Sequence, residues 1–179
     1  ASASASTVAG IREVLAGAER PLVIVGGGGW NDAGRAAFRQ FVEANHLPVA
    51  CAFRFQDILD NTSPSYIGDA GLGKSPAMLK ALNEADVIFA ANIRCGENTT
   101  DGYELFDVPN MKATLIHSHI SDDELNKIYT ADLPVHAGPN ELFAALNDTV
   151  IDAPWAESTA QARADFLTSI KIPTQPGGV

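Results

Sequence analysis

The stretch Arg20-Pro21-Leu22-Val23-Ile24-Val25-Gly26-Gly27-Gly28-Gly29 decides the fold. Its apolar half, Pro21–Val25, is continuous rather than alternating, and Val23, Ile24 and Val25 are β-branched. A strand with no polar side is covered on both faces, as in a parallel sheet flanked by helices. Four glycines then remove every side chain behind the strand. Asn31 or Asp32 can cap the helix that follows, in which Ala37, Phe38, Phe41 and Val42 form one apolar stripe.

The alternation continues on both sides of that stretch. Residues 7–18 place Val8, Ile11, Val14 and Leu15 at helical spacing. Further strands are predicted over 48–52 (PVACA), 86–91 (DVIFAA), 113–117 (ATLIH) and 133–136. Ser75-Pro76 opens a helix running to about Ala85, with serine as cap and proline at the first helical position. Residues 121–129 read as a short helix capped by Ser121, and 139–147 as a helix with Leu142, Phe143 and Leu146 inward. Residues 155–170 read as amphipathic, with Trp155, Ala162, Phe166 and Ile170 on one face. The stretch 53–74 reads as irregular, punctuated by Gly68, Gly71 and Gly73. The prediction is an α/β domain: a three-layer, doubly wound, mostly parallel Rossmann-like sheet of five to six strands with helices on both faces.

A length of 179 residues suits one domain, and 46% apolar residues suffice for a core, which excludes disorder. The net charge of -10 speaks against nucleic acid or an anionic membrane surface as partner. No apolar run approaches membrane-spanning length. Cys51 and Cys95 lack CxxC spacing and read as free thiols of a reducing cytoplasm, the expected location. Residues 1–6 (ASASAS) and 171–179 (KIPTQPGGV) have linker composition, and both ends read as cut ends. The expected partition is a linker and leading helix over 1–19, a central α/β domain over 20–148, and a C-terminal helix and linker to a further domain over 149–179.

Ligands of doubly wound folds sit at the carboxyl ends of the strands. That directs attention to loops 26–31, 92–101 and 118–123. Glycines between a strand and a helix start let backbone amides approach a phosphate, and the helix dipole favours the anion. The GxGxxG pattern is not completed, because Asn31 holds its third glycine position. No acid ends the second strand to hold a ribose; Phe53 and Arg54 stand there. His117 and His119 share a strand face, but zinc needs a third ligand, and no HExxH or CxxC accompanies them. Gly68–Ser75 satisfies GxxxxGKS literally, yet its lead-in 61–67 (NTSPSYI) is polar and contains Pro64, where a P-loop requires an apolar strand. No GxSxG elbow is present. Catalytic residues are therefore not assigned. One reading left by the loops alone is a stand-alone module binding FAD, NAD or ADP.

The ordered set of landmarks resembles the central domain of thiamine-diphosphate-dependent enzymes of the acetolactate synthase, pyruvate oxidase and benzoylformate decarboxylase group. It comprises Arg20 to Gly28 (RPLVIVGGG), Leu47-Pro48-Val49, Tyr66-Ile67-Gly68 through Gly71, Ala85-Asp86-Val87-Ile88 followed by Arg94, Leu115-Ile116-His117, and Leu133-Pro134-Val135 with Gly138. The resemblance implies the middle domain of a three-domain enzyme that cleaves a 2-oxo acid, with this chain inactive in isolation. Thiamine diphosphate and Mg²⁺ would be held by the other domains, through an activating glutamate and a GDG…N motif. Gly68-Asp69-Ala70 with Asn92 only mimics that motif, since no strand is predicted before Gly68. In this domain the resemblance implies FAD or ADP, contacted by Gly26, Gly27, Gly28 and Arg94. Where the family writes acids after the later strands, this chain has His117-Ser118-His119-Ile120-Ser121 and Gly138-Pro139. The implied partners are the other domains of the enzyme and further copies in a dimer or tetramer.

Overall fold

The computed structural model describes residues 3–171. The elements in order are α1 (Ala5–Ala16), β1 (Pro21–Val25), α2 (Asp32–Ala44), β2 (Val49–Cys51), β3 (Tyr66–Asp69), α3 (Pro76–Glu84) and β4 (Val87–Ala91). They continue with α4 (Glu97–Thr100), β5 (Thr114–His119), β6 (Leu133–His136), α5 (Pro139–Leu146) and α6 (Ala156–Ser169). Six strands form one sheet in the order β3-β2-β1-β4-β5-β6, and every pairing is parallel. The Rossmann-like α/β expectation holds, at the upper strand count and with no antiparallel edge.

β1 and β4, both buried along their whole length, form the centre. Side chains of β1 alternate between two cores. Val23 and Val25 join Ile11, Leu15, Phe38, Phe41, Leu142 and Phe143 from α1, α2 and α5. Leu22 and Ile24 face Met78 and Leu82 of α3 on the other side. The apolar run therefore lacks a polar face because neither face meets water. The first core is tied by rings: Phe38 meets Phe143 edge-on at 4.7 Å, and Trp30 stacks on Phe143 at 5.6 Å. Such pairs add about 1 kcal/mol each beyond burial.

Helix starts follow their capping residues. Asn31 Oδ1 accepts from the Gly34 amide (2.7 Å), and Ser75 Oγ from the Met78 amide (3.1 Å). Asn45, fully buried after α2, joins three segments. Its amide donates to Phe41 O and Thr149 O (both 2.8 Å), its Oδ1 accepts from the Ile151 amide (2.7 Å), and its carbonyl accepts from Trp155 Nε1 (3.0 Å).

Four expectations change. The stretch 53–74 is not wholly irregular: it contains β3, whose backbone pairs with β2 at the sheet edge. A strand thus runs through Gly68, where none was expected before it. The helix expected over 121–129 is a single 3-10 turn, Asp122–Glu124; Asn126 then takes a positive φ of 59° and accepts the Ala131 amide on its side chain. At the N-terminus Ser4 caps α1 from Ala5, so residues 5 and 6 are helical and not linker. Ile170, placed on the inner face of the last helix, is exposed. The linker expected at the C-terminus lies, past residue 171, outside the described residues.

Candidate functional site

Strand order makes a crevice. The chain leaves β1 toward β2 on one side and returns from β3 to β4 on the other, so the loops after β1 and β4 diverge. A cleft of about 700 Å³ opens there. Its walls are Gly27, Gly28 and Gly29 after β1, Phe53 and Phe55 after β2, Asn92 and Arg94 after β4, and His119 at the end of β5. The sequence singled out Gly26, Gly27, Gly28 and Arg94, and the fold brings all four to this edge.

The glycine loop is held by its carbonyl groups. Asn92 Nδ2 donates to Gly28 O (2.9 Å) and Gly26 O (3.3 Å), Trp30 Nε1 to Gly26 O (2.9 Å), and Asn140 Nδ2 to Gly29 O (2.8 Å). Asn140 Oδ1 also accepts the Asn31 amide (3.0 Å). With these carbonyl groups turned to side-chain amides, the amides of Gly27, Gly28, Gly29 and Trp30 remain without a partner among the described residues. Gly26 differs: its amide stays in the sheet on Ala91 O (3.1 Å), and a Cβ there would crowd Ile93 and Ala52. Gly27 has φ +70°, and a Cβ would run into the Asn92 carbonyl oxygen. A Cβ at Gly28 would meet nothing. Gly34 is required by the same clamp, since a Cβ there would strike the Asn140 side chain.

The opposite wall adds donors. Arg94 is exposed and makes no ion pair or hydrogen bond among the described residues. His119 Nδ1 lies 3.0 Å from the Ser121 amide and 3.1 Å from the Ser121 carbonyl oxygen, which fixes the ring at the end of β5. His117 points the other way along the same face, its Nε2 on Ile93 O (2.8 Å). Burial holds the His117 pKa below the ordinary histidine value, which favours its neutral form. The two rings are 6.5 Å apart, and no group of three His, Cys, Asp or Glu side chains able to hold a metal occurs among the described residues.

One observation marks the cleft as more than a turn. Asn92 is 2% exposed, takes φ +56°, lines the cleft, and its Oδ1 has no partner among the described residues. A buried polar atom without a partner costs about 1–3 kcal/mol. The unpartnered loop amides and Arg94 are donors whose chemistry suits an anionic group such as a diphosphate. Sequence reasoning directed attention to the loops that hold Asn92 and His119 without giving either a part in shaping this edge, and it missed Asn140 altogether. Asn92 carries a local signal, an asparagine directly after a buried strand; Asn140 carries none, because its partners are 109 and 111 residues away.

The Walker-like lysine has another role. Lys74 Nζ is buried against Asp101 (2.6 Å), Gly71 O (3.0 Å) and Asn98 O (3.3 Å), tying the Gly71–Ser75 turn to α4. Asp69 accepts from Gln56 Nε2 and the Gly71 amide, so its carboxylate serves its own loop. Both thiols, Cys51 and Cys95, are buried and pushed up to about 12 by desolvation. A second groove of about 650 Å³ lies between α3 and α6, at the amino ends of β1 and β2, away from the crevice.

Fold and crevice together define a Rossmann-like α/β module with a cleft at the carboxyl ends of its strands. The family described as "Thiamine pyrophosphate enzyme, central domain" matches residues 8–146, and the chain belongs to it. It is similar to the acetolactate synthase isozyme 2 large subunit of Escherichia coli (strain K12), 29% identical over 152 residues, which is 85% of this chain and 27% of that protein. The isozyme 3 large subunit of the same organism is 31% identical over 123 residues, 69% of this chain and 21% of that protein. The Corynebacterium glutamicum acetolactate synthase large subunit is 23% identical over 159 residues, 89% of this chain and 25% of that protein. The chain thus spans about a quarter of the length of the curated relatives it matches. Among the described residues, no helix is long and apolar enough to cross a membrane.

Proposed function

We propose that this chain is the nucleotide-binding central domain of a thiamine-diphosphate-dependent enzyme of the acetolactate synthase kind, acting on a 2-oxo acid in the cytoplasm. The observation that supports it best is the glycine loop whose carbonyl groups are tied back while its amides have no partner among the described residues, in a cleft that an unpaired Arg94 also lines. Gly27 and Gly28 would cradle the diphosphate of FAD or ADP, Gly26 would permit the close turn, and Arg94 would neutralise charge from the far wall. Thiamine diphosphate, whose thiazolium supplies the electron sink, and its Mg²⁺ would be held by other domains. The carboxylate that mimics a Mg²⁺ ligand here, Asp69, is engaged by its own loop. The module would comprise 20–148, with 149–171 carrying α6 toward a neighbouring domain, within a homo-oligomer.

Thermal melting of the chain with ADP and FAD tests the binding half. A ligand at 100 times its Kd stabilises by about 2.7 kcal/mol. Absence of any shift with both refutes the nucleotide reading. Decarboxylation of pyruvate by these 179 residues, supplied with thiamine diphosphate and Mg²⁺, would refute the assignment of chemistry to other domains.

A further inference from the structure

We infer that Lys74 is a positioning residue for the nucleotide cleft: its ammonium latches residues 96–105, which build one wall of the cleft, in the form that holds a ligand. This rests on the nucleotide reading of the cleft and adds a residue that does not itself line it. Gly96, Glu97, Asn98, Thr99 and Tyr103 do line it, and Arg94 stands just before them. The backbone of this wall is strained. Asp101, Gly102 and Tyr103 take positive φ in succession, at 51°, 69° and 67°. A tyrosine in the left-handed region crowds its Cβ against its own backbone, and such a corner persists only where its surroundings over-determine it. Its helix, α4, is a single turn of four residues, too short to hold itself.

Beyond the apolar packing of Tyr103 and Leu105, the polar ties from this wall to the rest of the chain converge on Lys74. Its Nζ donates to Asp101 Oδ1 (2.6 Å) and Asn98 O (3.3 Å) in the wall, and to Gly71 O (3.0 Å) outside it. Among the described residues, the other hydrogen bonds of 96–105 close within the segment. The Thr99 and Thr100 amides donate to Gly96 O, Gly102 to Glu97 O, Leu105 to Thr100 O, and Tyr103 to Thr100 Oγ1. The anchoring end of the latch is fixed on both sides, by Gly73 at φ +72° and by Ser75, which caps α3. The Lys74 side chain is 2% exposed, and its three N–H donors meet three acceptors. An ammonium so desolvated is costly without those acceptors, so the pair stays closed and the wall with it.

Amide hydrogen exchange and calorimetric titration with ADP and FAD, on the 179-residue chain, test this. Lys74→Met keeps an unbranched side chain and removes the ammonium. The Thr99, Thr100, Gly102 and Leu105 amides should then exchange about tenfold faster or more, while those of β1 and β4 change by less than about threefold. Affinity for whichever nucleotide binds should fall about tenfold, measured where the variant is fully folded. Asp101→Asn should act in the same direction without disturbing the corner, because asparagine tolerates positive φ. In the Lys74→Met background it should add less than about twofold, as expected of two residues in one interaction. Lys74→Arg should recover part of both losses. Protection lost equally across the sheet marks an ordinary stabilising ion pair. That result, unchanged exchange in 96–105, or unchanged nucleotide affinity overturns the inference and leaves the nucleotide reading standing. Failure of the wild-type chain to bind either ADP or FAD overturns both.

Discussion

Two neighbouring glycines should respond oppositely to the same methyl group. At Gly27 a Cβ faces φ +70° and the Asn92 carbonyl. The left-handed conformation costs a residue with a side chain about 1–2 kcal/mol. Forcing the methyl into packed backbone adds about 1–3 kcal/mol. The Asn92 backbone cannot yield easily, since its amide is bonded to Ser118 O (2.9 Å) and its side chain grips Gly26 and Gly28. Gly27→Ala should therefore destabilise by about 3 kcal/mol, a Tm drop of roughly 6–12 °C for a chain of this size. Gly28 has no atom near its would-be Cβ and no positive φ. Gly28→Ala should leave Tm within about 2 °C, since such surface changes cost within about 0.5 kcal/mol. Its methyl would project where a phosphate approaches, so ADP affinity should fall about tenfold. Differential scanning fluorimetry and calorimetry on both variants measure this. A Gly27→Ala protein that melts like wild type, or a Gly28→Ala protein that binds ADP normally, would refute the loop geometry.

Asn45→Ala leaves the Thr149 and Ile151 backbone groups unpaired and should cost about 3 kcal/mol in urea melts, with a similar or larger loss for Trp155→Ala. The folded pKa of His117 lies below its unfolded value, so below about pH 6.5 the unfolded chain binds a proton that the native chain refuses. Its share of stability is complete above pH 6.5 and is lost as pH falls toward the folded pKa, by at most about 1.4 kcal/mol per pH unit. Chemical denaturation from pH 7.5 to 5 should show a shallower loss in His117→Gln; identical slopes would contradict this. Cys51 and Cys95, both raised to about 12 and buried, should resist a thiol reagent at pH 8 until the chain is unfolded, when both react. Rapid labelling of the native chain would sink that expectation.

The legible parts of the fold are those whose patterns are local. The PLVIV run, the Asn31 and Ser75 caps and the β4 run each declare themselves within a few residues. β3 did not, because only Tyr66 and Ile67 are apolar and Gly68 and Asp69 follow them. What covers it is Phe166 of α6, which meets Tyr66 edge-on at 5.2 Å and closes over Gly68. That partner is a hundred residues away in sequence, and no local pattern announces it. The 121–129 segment failed for the converse reason: its composition allows a helix, but the Asn126 side chain takes the Ala131 amide and turns the backbone instead. At the site, Gly26, Gly27, Gly28 and Arg94 could be read from a strand-glycine pattern and an ordered set of motifs. The asparagines that aim the loop could not, because their role depends on which carbonyl groups the fold brings within 3 Å.

Backbone amide NMR of the ¹⁵N-labelled chain titrated with ADP bears most closely on the proposal that the β1–β4 crevice is the nucleotide site. The largest shifts should fall on Gly27, Gly28, Gly29 and Trp30, with smaller ones on Arg94 and His119. Shifts gathered instead in the groove between α3 and α6, or none at saturating ADP, would contradict it.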